Sequence, residues 1–226
     1  MGDTADHQVY DLPQETYGLF VDGEWRVEPN RSSPATSPAT GEEIGTVTIG
    51  TEGDVSDAVL AATEAQQDLA AMTSFERAEL VHELADAIDS EADNLAMWLS
   101  ADQGKPLTEA RIEVDLAIEM YRDAAENVKR AAGETIPAAD PDTRVFTVRE
   151  PHGVYGVITP WNYPLTIPSE YLAPGLGIGN AIVWVPAPTT SVFSVKLVKV
   201  LADTTLPDGA LNLITGEGPV VGEAVV

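Results

Sequence analysis

From Gly153 onward, apolar runs of strand length alternate with stretches of helix length, and few folds accept that order. The apolar run Val154 to Ile158 is followed by a helical stretch from about Leu165 to Leu176, a strand over Ala181 to Val185, a helix from about Ser191 to Ala202 and a strand over Leu211 to Ile214. A glycine loop and a helix start from Pro219 complete the series. Such alternation predicts a parallel sheet joined by right-handed crossovers. The expected fold class is therefore α/β, a Rossmann-like parallel sheet with flanking helices. In open sheets of this kind ligands collect beyond the carboxyl ends of the strands.

The first of these strands ends in an unusual way. Gly153-Val154-Tyr155-Gly156-Val157-Ile158 runs into Thr159-Pro160-Trp161-Asn162-Tyr163-Pro164-Leu165, so a polar amide is held between two prolines and two aromatics. Val154, Val157 and Ile158 read as the apolar run of a strand covered on both faces, while Pro160 and Pro164 fix backbone angles and stop the strand from continuing. Asn162 is left at the carboxyl end. A side-chain amide there can donate a hydrogen bond to an oxygen that gains negative charge. The commoner work of a loop asparagine is to satisfy backbone groups in a turn. Spacing alone leaves both roles open.

The preceding residues have a different character. Residues 1–17 are polar, without periodicity, and read as a mobile leader. Asp22-Gly23 marks a hairpin over Gly18 to Val27, Pro29 to Pro38 reads as a loop, and Glu43 to Ile49 as a short strand. Three helices are expected next. The first, about Gly53 to Met72, follows Thr51 with Asp54 three residues on; the second opens on Thr73 and Glu76 in capping-box spacing. The third runs from after Lys105-Pro106 to Gly133, with Lys129 and Arg130 at the negative end of its dipole. Phe75, Ala78, Val81, Leu84, Ala85 and Ile88 recur at three- and four-residue steps and predict one buried stripe. Arg144 to Arg149 alternates as a strand. The division expected is a leader (1–17), amino-terminal strands and helices of a cofactor-binding domain (18–134), a bridging strand (135–150) and the Rossmann-like half (151–226).

Charge separates these parts sharply. The 226 residues include 37 acids and 12 bases, a formal net charge of -25, and only five of the acids and two of the bases lie beyond Glu150. Nucleic acid and anionic membranes both need a basic surface and are excluded as partners. A hydrophobic content of 44% opposes disorder, the usual outcome at such charge. The balance points instead to a salt-rich cytoplasm, where counterions screen a carboxylate-dense surface. The lightly charged second part reads as sheet interior plus elements that expect cover, leaving an apolar face exposed. No stretch approaches the roughly 20 apolar residues of a membrane span, and no secretory signal opens the chain. Cysteine is absent and His7, His82 and His152 lie far apart, so no metal site is expected.

Several motifs, in order along nearly the whole chain, carry a family resemblance. They are Gly18-Leu19-Phe20-Val21-Asp22-Gly23-Glu24-Trp25, Ser37-Pro38-Ala39-Thr40-Gly41-Glu42-Glu43-Ile44, Gly104-Lys105-Pro106, the Pro160 to Leu165 element, Leu172-Ala173-Pro174 with Gly179-Asn180, Leu206-Pro207-Asp208-Gly209 and Gly216-Glu217-Gly218. In this order and spacing the chain resembles the aldehyde dehydrogenase superfamily, NAD(P)-dependent enzymes that oxidise aldehydes through a cysteine thiohemiacetal. The resemblance covers only the amino-terminal part of such an enzyme. The family's Glu-Leu-Gly-Gly segment, with its general base, and its Gly-Gln-x-Cys segment, with its nucleophile, have no counterpart here.

The resemblance implies particular roles. Asn162 aligns with the family's oxyanion-stabilising asparagine, and Ile158, Thr159, Pro160 and Trp161 with contacts to the nicotinamide side of NAD or NADP. Val185, Pro186, Ala187 and Pro188 align with the segment beside the adenosine ribose, but Val185 stands where the family usually has lysine and Pro188 where it often has glutamate. Gly218 and Gly222 fall in a loop near the cofactor phosphates; the last gap is one residue longer than the usual dinucleotide fingerprint, and a tight strand-to-helix turn explains the glycines as well. Tyr163, Ile167 and Glu170 align with the aldehyde tunnel, and Tyr171 stands where a lysine is common. Betaine aldehyde, held by cation–π attraction, and semialdehydes are both compatible with these residues. Expected partners are the aldehyde, a separate carboxyl-terminal half or a full-length homologue, and further copies of the chain. The alternative is a non-catalytic remnant or binding module that keeps the fold.

Overall fold

The computed structural model describes residues 15–226. Most of the leader, residues 1–14, lies outside the described residues. Its last two residues do not fit a mobile leader: Thr16–Tyr17 form β1 and pair in parallel with a later strand, where the Tyr17 ring is buried. The hairpin is as expected. β2 (Leu19–Val21) and β3 (Glu24–Arg26) are antiparallel, and Asp22 (φ 55°) and Gly23 (φ 76°) supply the two positive angles that such a two-residue turn requires. The Pro29 to Pro38 stretch is not simply a loop. After a single turn of 3-10 helix it forms β4 (Ser32–Thr36), which pairs antiparallel with β5 (Glu43–Thr48), the central strand of a small sheet ordered β1-β5-β4. Alternation was weak there because Pro34 occupies a mostly exposed edge strand.

Four helices follow rather than three. α1 (Glu52–Ala71) and α2 (Ser74–Ser90) each open on a complete capping box, Thr51 with Asp54 and Thr73 with Glu76. Burial alone would raise the Asp54 carboxyl, but hydrogen bonds from Arg31 and Thr51 hold it below the usual range. The stripe of α2 is buried from Ala78 to Ile88, whereas Phe75, in the first turn, is 66% exposed. α3 (Ala92–Gln103) is the unforeseen element: Glu91 both ends α2 and begins α3, with no glycine or proline between them to mark the break. It stops at Gly104, whose φ of 88° gives the left-handed cap. α4 (Leu107–Val128) ends short of the expected Gly133, because Val128 is the last residue of that helix with a buried surface to contribute. Lys129 caps it and pairs with Glu126.

Beyond α4, β6 (Thr135–Ile136) and β7 (Val145–Phe146) form a short antiparallel ribbon, exposed throughout. The remainder follows the expected alternation closely: β8 (Val154–Ile158), α5 (Thr166–Gly177), β9 (Ala181–Val185), α6 (Ser191–Ala202) and β10 (Leu211–Leu213). The main sheet has the order β3-β2-β10-β9-β8. Its last three strands are parallel, and the β2–β3 hairpin extends them antiparallel through the Leu213 and Phe20 pairing. α1 and α5 pack on β9, and α4 joins α2, α3 and α5 in a helical layer. Arg77 ties these layers together by donating to the carbonyls of Leu69, Met72 and Gly177.

One expectation fails in this sheet. β8 is not covered on both faces: among the described residues it is an edge strand paired only to β9, with Val157 buried but Ile158 54% exposed. The expected helix start after β10 opens as a five-residue π turn, Gly218–Gly222, that runs on into α-helical residues at Glu223 and Ala224. Among the described residues no helix is long and apolar enough to cross a membrane.

Candidate functional site

The carboxyl ends of β8, β9 and β10 gather the segments that the sequence singled out. The Thr159 N–H donates to the Val185 carbonyl at 3.2 Å, carrying the β8–β9 ladder one step past the strand. The buried Thr159 hydroxyl accepts a hydrogen bond from the Trp184 indole at 2.9 Å, so the core tryptophan of β9 fixes where β8 stops. Pro160 then removes the next backbone donor and the chain bends outward. Trp161, Asn162 and Tyr163 are all exposed. Among the described residues the Asn162 side-chain amide has no hydrogen-bond partner. An asparagine retained to satisfy a turn would be bonded to that turn; this one faces outward with its donors free.

The loop returns to the core through α5. The Leu165 and Thr166 N–H groups donate to Glu113 Oε1 of α4 at 2.9 and 3.1 Å, which satisfies the otherwise orphaned donors at the helix start. Ile167, Glu170 and Tyr171 fall at helical spacing on one side of α5, and Tyr163 precedes that helix. Ile167 is half-buried, and Tyr163, Glu170 and Tyr171 are exposed.

The predicted ribose and phosphate residues are less polar than a ribose site needs. Val185 is 2% exposed within β9, Pro186 is buried, Ala187 is half-buried, and Pro188 opens a 3-10 turn at the surface. None of the four side chains can hydrogen-bond a hydroxyl. Gly218 has open space around it, and a Cβ placed on Gly222 would lie 3.9 Å from Ile158 Cδ1, so Gly222 and Ile158 do meet.

A cleft of about 510 Å³ adjoins this region, lined by Thr36, Asp102, Gln103, Trp161, Pro188 and Thr190 among others. Asp102 was missed with α3, on which it sits. Its carboxylate accepts the Phe193 N–H of α6 at 2.8 Å. Burial pushes its pKa up to about 7, against the opposing pull of the Phe193 and Val192 N–H groups. Among the described residues Gln103 Oε1 and Thr190 Oγ1 are buried with no partner. The available signal was an acid at a position where α3 is otherwise turning its apolar face inward. No cluster of three potential metal ligands occurs among the described residues.

Comparison with known proteins gives this arrangement a family. Residues 25–226 match the model of the aldehyde dehydrogenase family. The chain is 37% identical over 214 residues to alpha-ketoglutaric semialdehyde dehydrogenase of Bacillus subtilis, covering 94% of this chain and 44% of that protein. It is 35% identical over 208 residues to betaine aldehyde dehydrogenase of the same organism, covering 91% and 42%. A Staphylococcus aureus betaine aldehyde dehydrogenase variant solved in complex with NAD+ superposes with a TM-score of 0.89 at 32% identity, over 92% of this chain and 43% of that one. The chain thus spans less than half the length of these relatives. From the segment Trp25 to Val226, and from the parallel strands whose ends carry the Pro160 to Pro164 loop, it belongs to the aldehyde dehydrogenase family.

Proposed function

We propose that this chain is the cofactor-binding part of an NAD(P)-dependent aldehyde dehydrogenase that oxidises an aldehyde to a carboxylic acid. The sequence has no cysteine, so the nucleophilic thiol comes from residues outside these 226, in a joined or separate carboxyl-terminal half that, by the family resemblance, also brings the general base. When bound, the nicotinamide accepts a hydride from the substrate. This chain's own residues bind, orient and polarise. Thr159 to Trp161 form a wall at the end of β8 against which a nicotinamide ring can rest, and Gly218 and Gly222 leave room for backbone approach.

Asn162 acts on the substrate. As a thiolate adds to the aldehyde carbon, the carbonyl π pair moves onto oxygen, and the Asn162 amide donates a hydrogen bond to the resulting oxyanion. The same bond is released when hydride leaves and the carbonyl re-forms as a thioester, which water then hydrolyses. The free, outward-facing amide of Asn162 is the observation that carries this reading.

Tyr163, Ile167 and Glu170 would border the aldehyde. Lys105 Nζ lies 4.8 Å from the Tyr163 ring centroid, so a quaternary ammonium would have only the opposite ring face. Residues 18–134 and 151–226 would together make the cofactor-binding domain, with the exposed 135–150 ribbon as a bridging and oligomerisation element. The acidic surface favours a salt-rich cytoplasm as its setting.

The test joins this chain to the carboxyl-terminal residues of the Bacillus subtilis semialdehyde dehydrogenase, which restores a thiol. Asn162→Ala should lower turnover per titrated thiol by roughly 10²–10³ while cofactor affinity stays nearly unchanged. Near-normal turnover would remove Asn162 from the reaction. One observation favours the rival reading of a non-catalytic binding module: Val185 and Pro188 offer no polar group to the ribose. On that reading the joined protein binds neither NAD nor NADP at millimolar concentration.

A further inference from the structure

Among the described residues no side chain of Trp161 to Pro164 makes a hydrogen bond, yet the loop is held on its carboxyl-terminal side by one ion pair. Glu113, on α4, has a side chain only 2% exposed. One of its oxygens accepts the N–H groups of Leu165 and Thr166, three and four residues after Asn162. The other oxygen pairs with Lys105, 11% exposed. Lys105 in turn sits over the ring of Tyr163, the residue next to Asn162. A carboxylate removed from water needs a partner charge and its lone pairs filled; Glu113 has both, supplied by Lys105 and the start of α5.

We propose that Glu113 and Lys105 are positioning residues: together they clamp the Tyr163 to Thr166 end of the Asn162 loop and so set the direction of the Asn162 amide. This rests on the oxyanion role of Asn162 for its functional consequence, but not for its structural one. It also gives Gly104-Lys105-Pro106 a task, since Gly104 ends α3 and Pro106 precedes α4, aiming the intervening lysine back toward the loop. A carboxylate serves here better than an amide because it accepts from two N–H groups while neutralising the lysine.

Amide hydrogen exchange on the whole chain tests the clamp, with Ile182 and Val183 of β9 reporting global opening. In Glu113→Ala the Leu165 and Thr166 amides should exchange at least tenfold faster than the β9 change accounts for, and the Trp161 indole resonance should shift. Glu113→Gln keeps an acceptor oxygen and should restore most of the protection. Lys105→Met should move the Tyr163 ring resonances while Leu165 and Thr166 stay protected. Exchange at Leu165 and Thr166 that merely follows β9 in Glu113→Ala overturns the proposal. If that variant does not fold, unmoved Tyr163 and Trp161 resonances in both Lys105→Met and Glu113→Gln overturn it instead. In the joined enzyme a loosened loop should appear as a lower kcat with an unchanged cofactor dissociation constant. A loop that loosens in Glu113→Ala, alongside normal turnover in Asn162→Ala, supports the clamp and removes the oxyanion role.

Discussion

β8 and β9 are parallel neighbours of five residues each, in register from Val154 and Ala181 to Ile158 and Val185, and both are largely apolar. Every residue of β9 is buried, whereas in β8 only Val157 is. β9 has β10 on its other side and takes more of the packing of α1 and α5 than β8 does; among the described residues β8 has an open edge. The same kind of sequence is therefore core in one strand and unclosed surface in the next. What separates them is neighbours, not composition, and the open strand is the one that leads into the exposed Trp161, Asn162 and Tyr163.

β9 is most vulnerable at Trp184, its largest fully buried side chain. Trp184→Ala removes a large core side chain and the donor to Thr159, and should cost about 3–5 kcal/mol in denaturant unfolding. Trp184→Phe keeps most of the volume and should cost far less, roughly 1–2 kcal/mol, chiefly from leaving the Thr159 hydroxyl without its donor. A loss in Trp184→Ala no larger than that of an edge-strand substitution would mean that β9 is not the centre of the core.

Asp102 gives the next largest effect, through pH. The folded pKa near 7 lies above the ordinary value of 3.8, so the folded state holds this proton more tightly than the unfolded chain does. Its contribution is full below about pH 4, declines as pH rises toward 7, and changes no further above that. The slope attributable to one such group is about 1.4 kcal/mol per pH unit inside the window. Asp102→Asn should remove that slope, so the stability difference between the two proteins should change by a few kcal/mol between pH 4 and 7. A difference independent of pH would mean that Asp102 is ionised in the fold throughout.

Elements with local punctuation were legible in the sequence, and elements defined by neighbours were not. The capping boxes of α1 and α2, the Asp22-Gly23 turn and the α5 to β10 alternation all carry their signals within a few residues, and all appear where expected. α3 was missed because Glu91 separates it from α2 without a breaker, and Asp102 was missed with it. The edge position of β8 could not be read at all, since exposure of Ile158 depends on which strands flank it. The same division holds at the site. The Pro160 to Pro164 loop announced itself, while Glu113, one acid among many on α4, has meaning only where α4 meets α5.

A smaller effect sharpens the view of α1 as part of the cover over β9. Thr51 accepts the Asp54 N–H, and Asp54 accepts from Thr51 and from Arg31 at 2.6 Å. Thr51→Ala should cost about 1 kcal/mol, the usual loss of an N-cap, and should raise exchange in the first turn of α1 before it affects β9. Equal changes in both would show that α1 and β9 open as one unit.

The smallest effect, expected at Ile158, is the most direct test of the difference between the strands when set beside that at Val185. Ile158 and Val185 are register partners at the ends of β8 and β9, one 54% exposed and the other 2%. Val185→Ser deletes buried apolar surface and leaves a hydroxyl in the sheet interior, so it should cost on the order of 2–4 kcal/mol. Ile158→Ser removes apolar surface that already faces water, and folding stability should change by less than about 0.5 kcal/mol. Its expected signature lies elsewhere. With fewer apolar atoms at the open edge, binding of a hydrophobic dye should fall while the unfolding midpoint stays put. If Ile158→Ser destabilised the fold as much as Val185→Ser, β8 would be covered after all, and the exposed surface leading to Asn162 would have to be sought on another element.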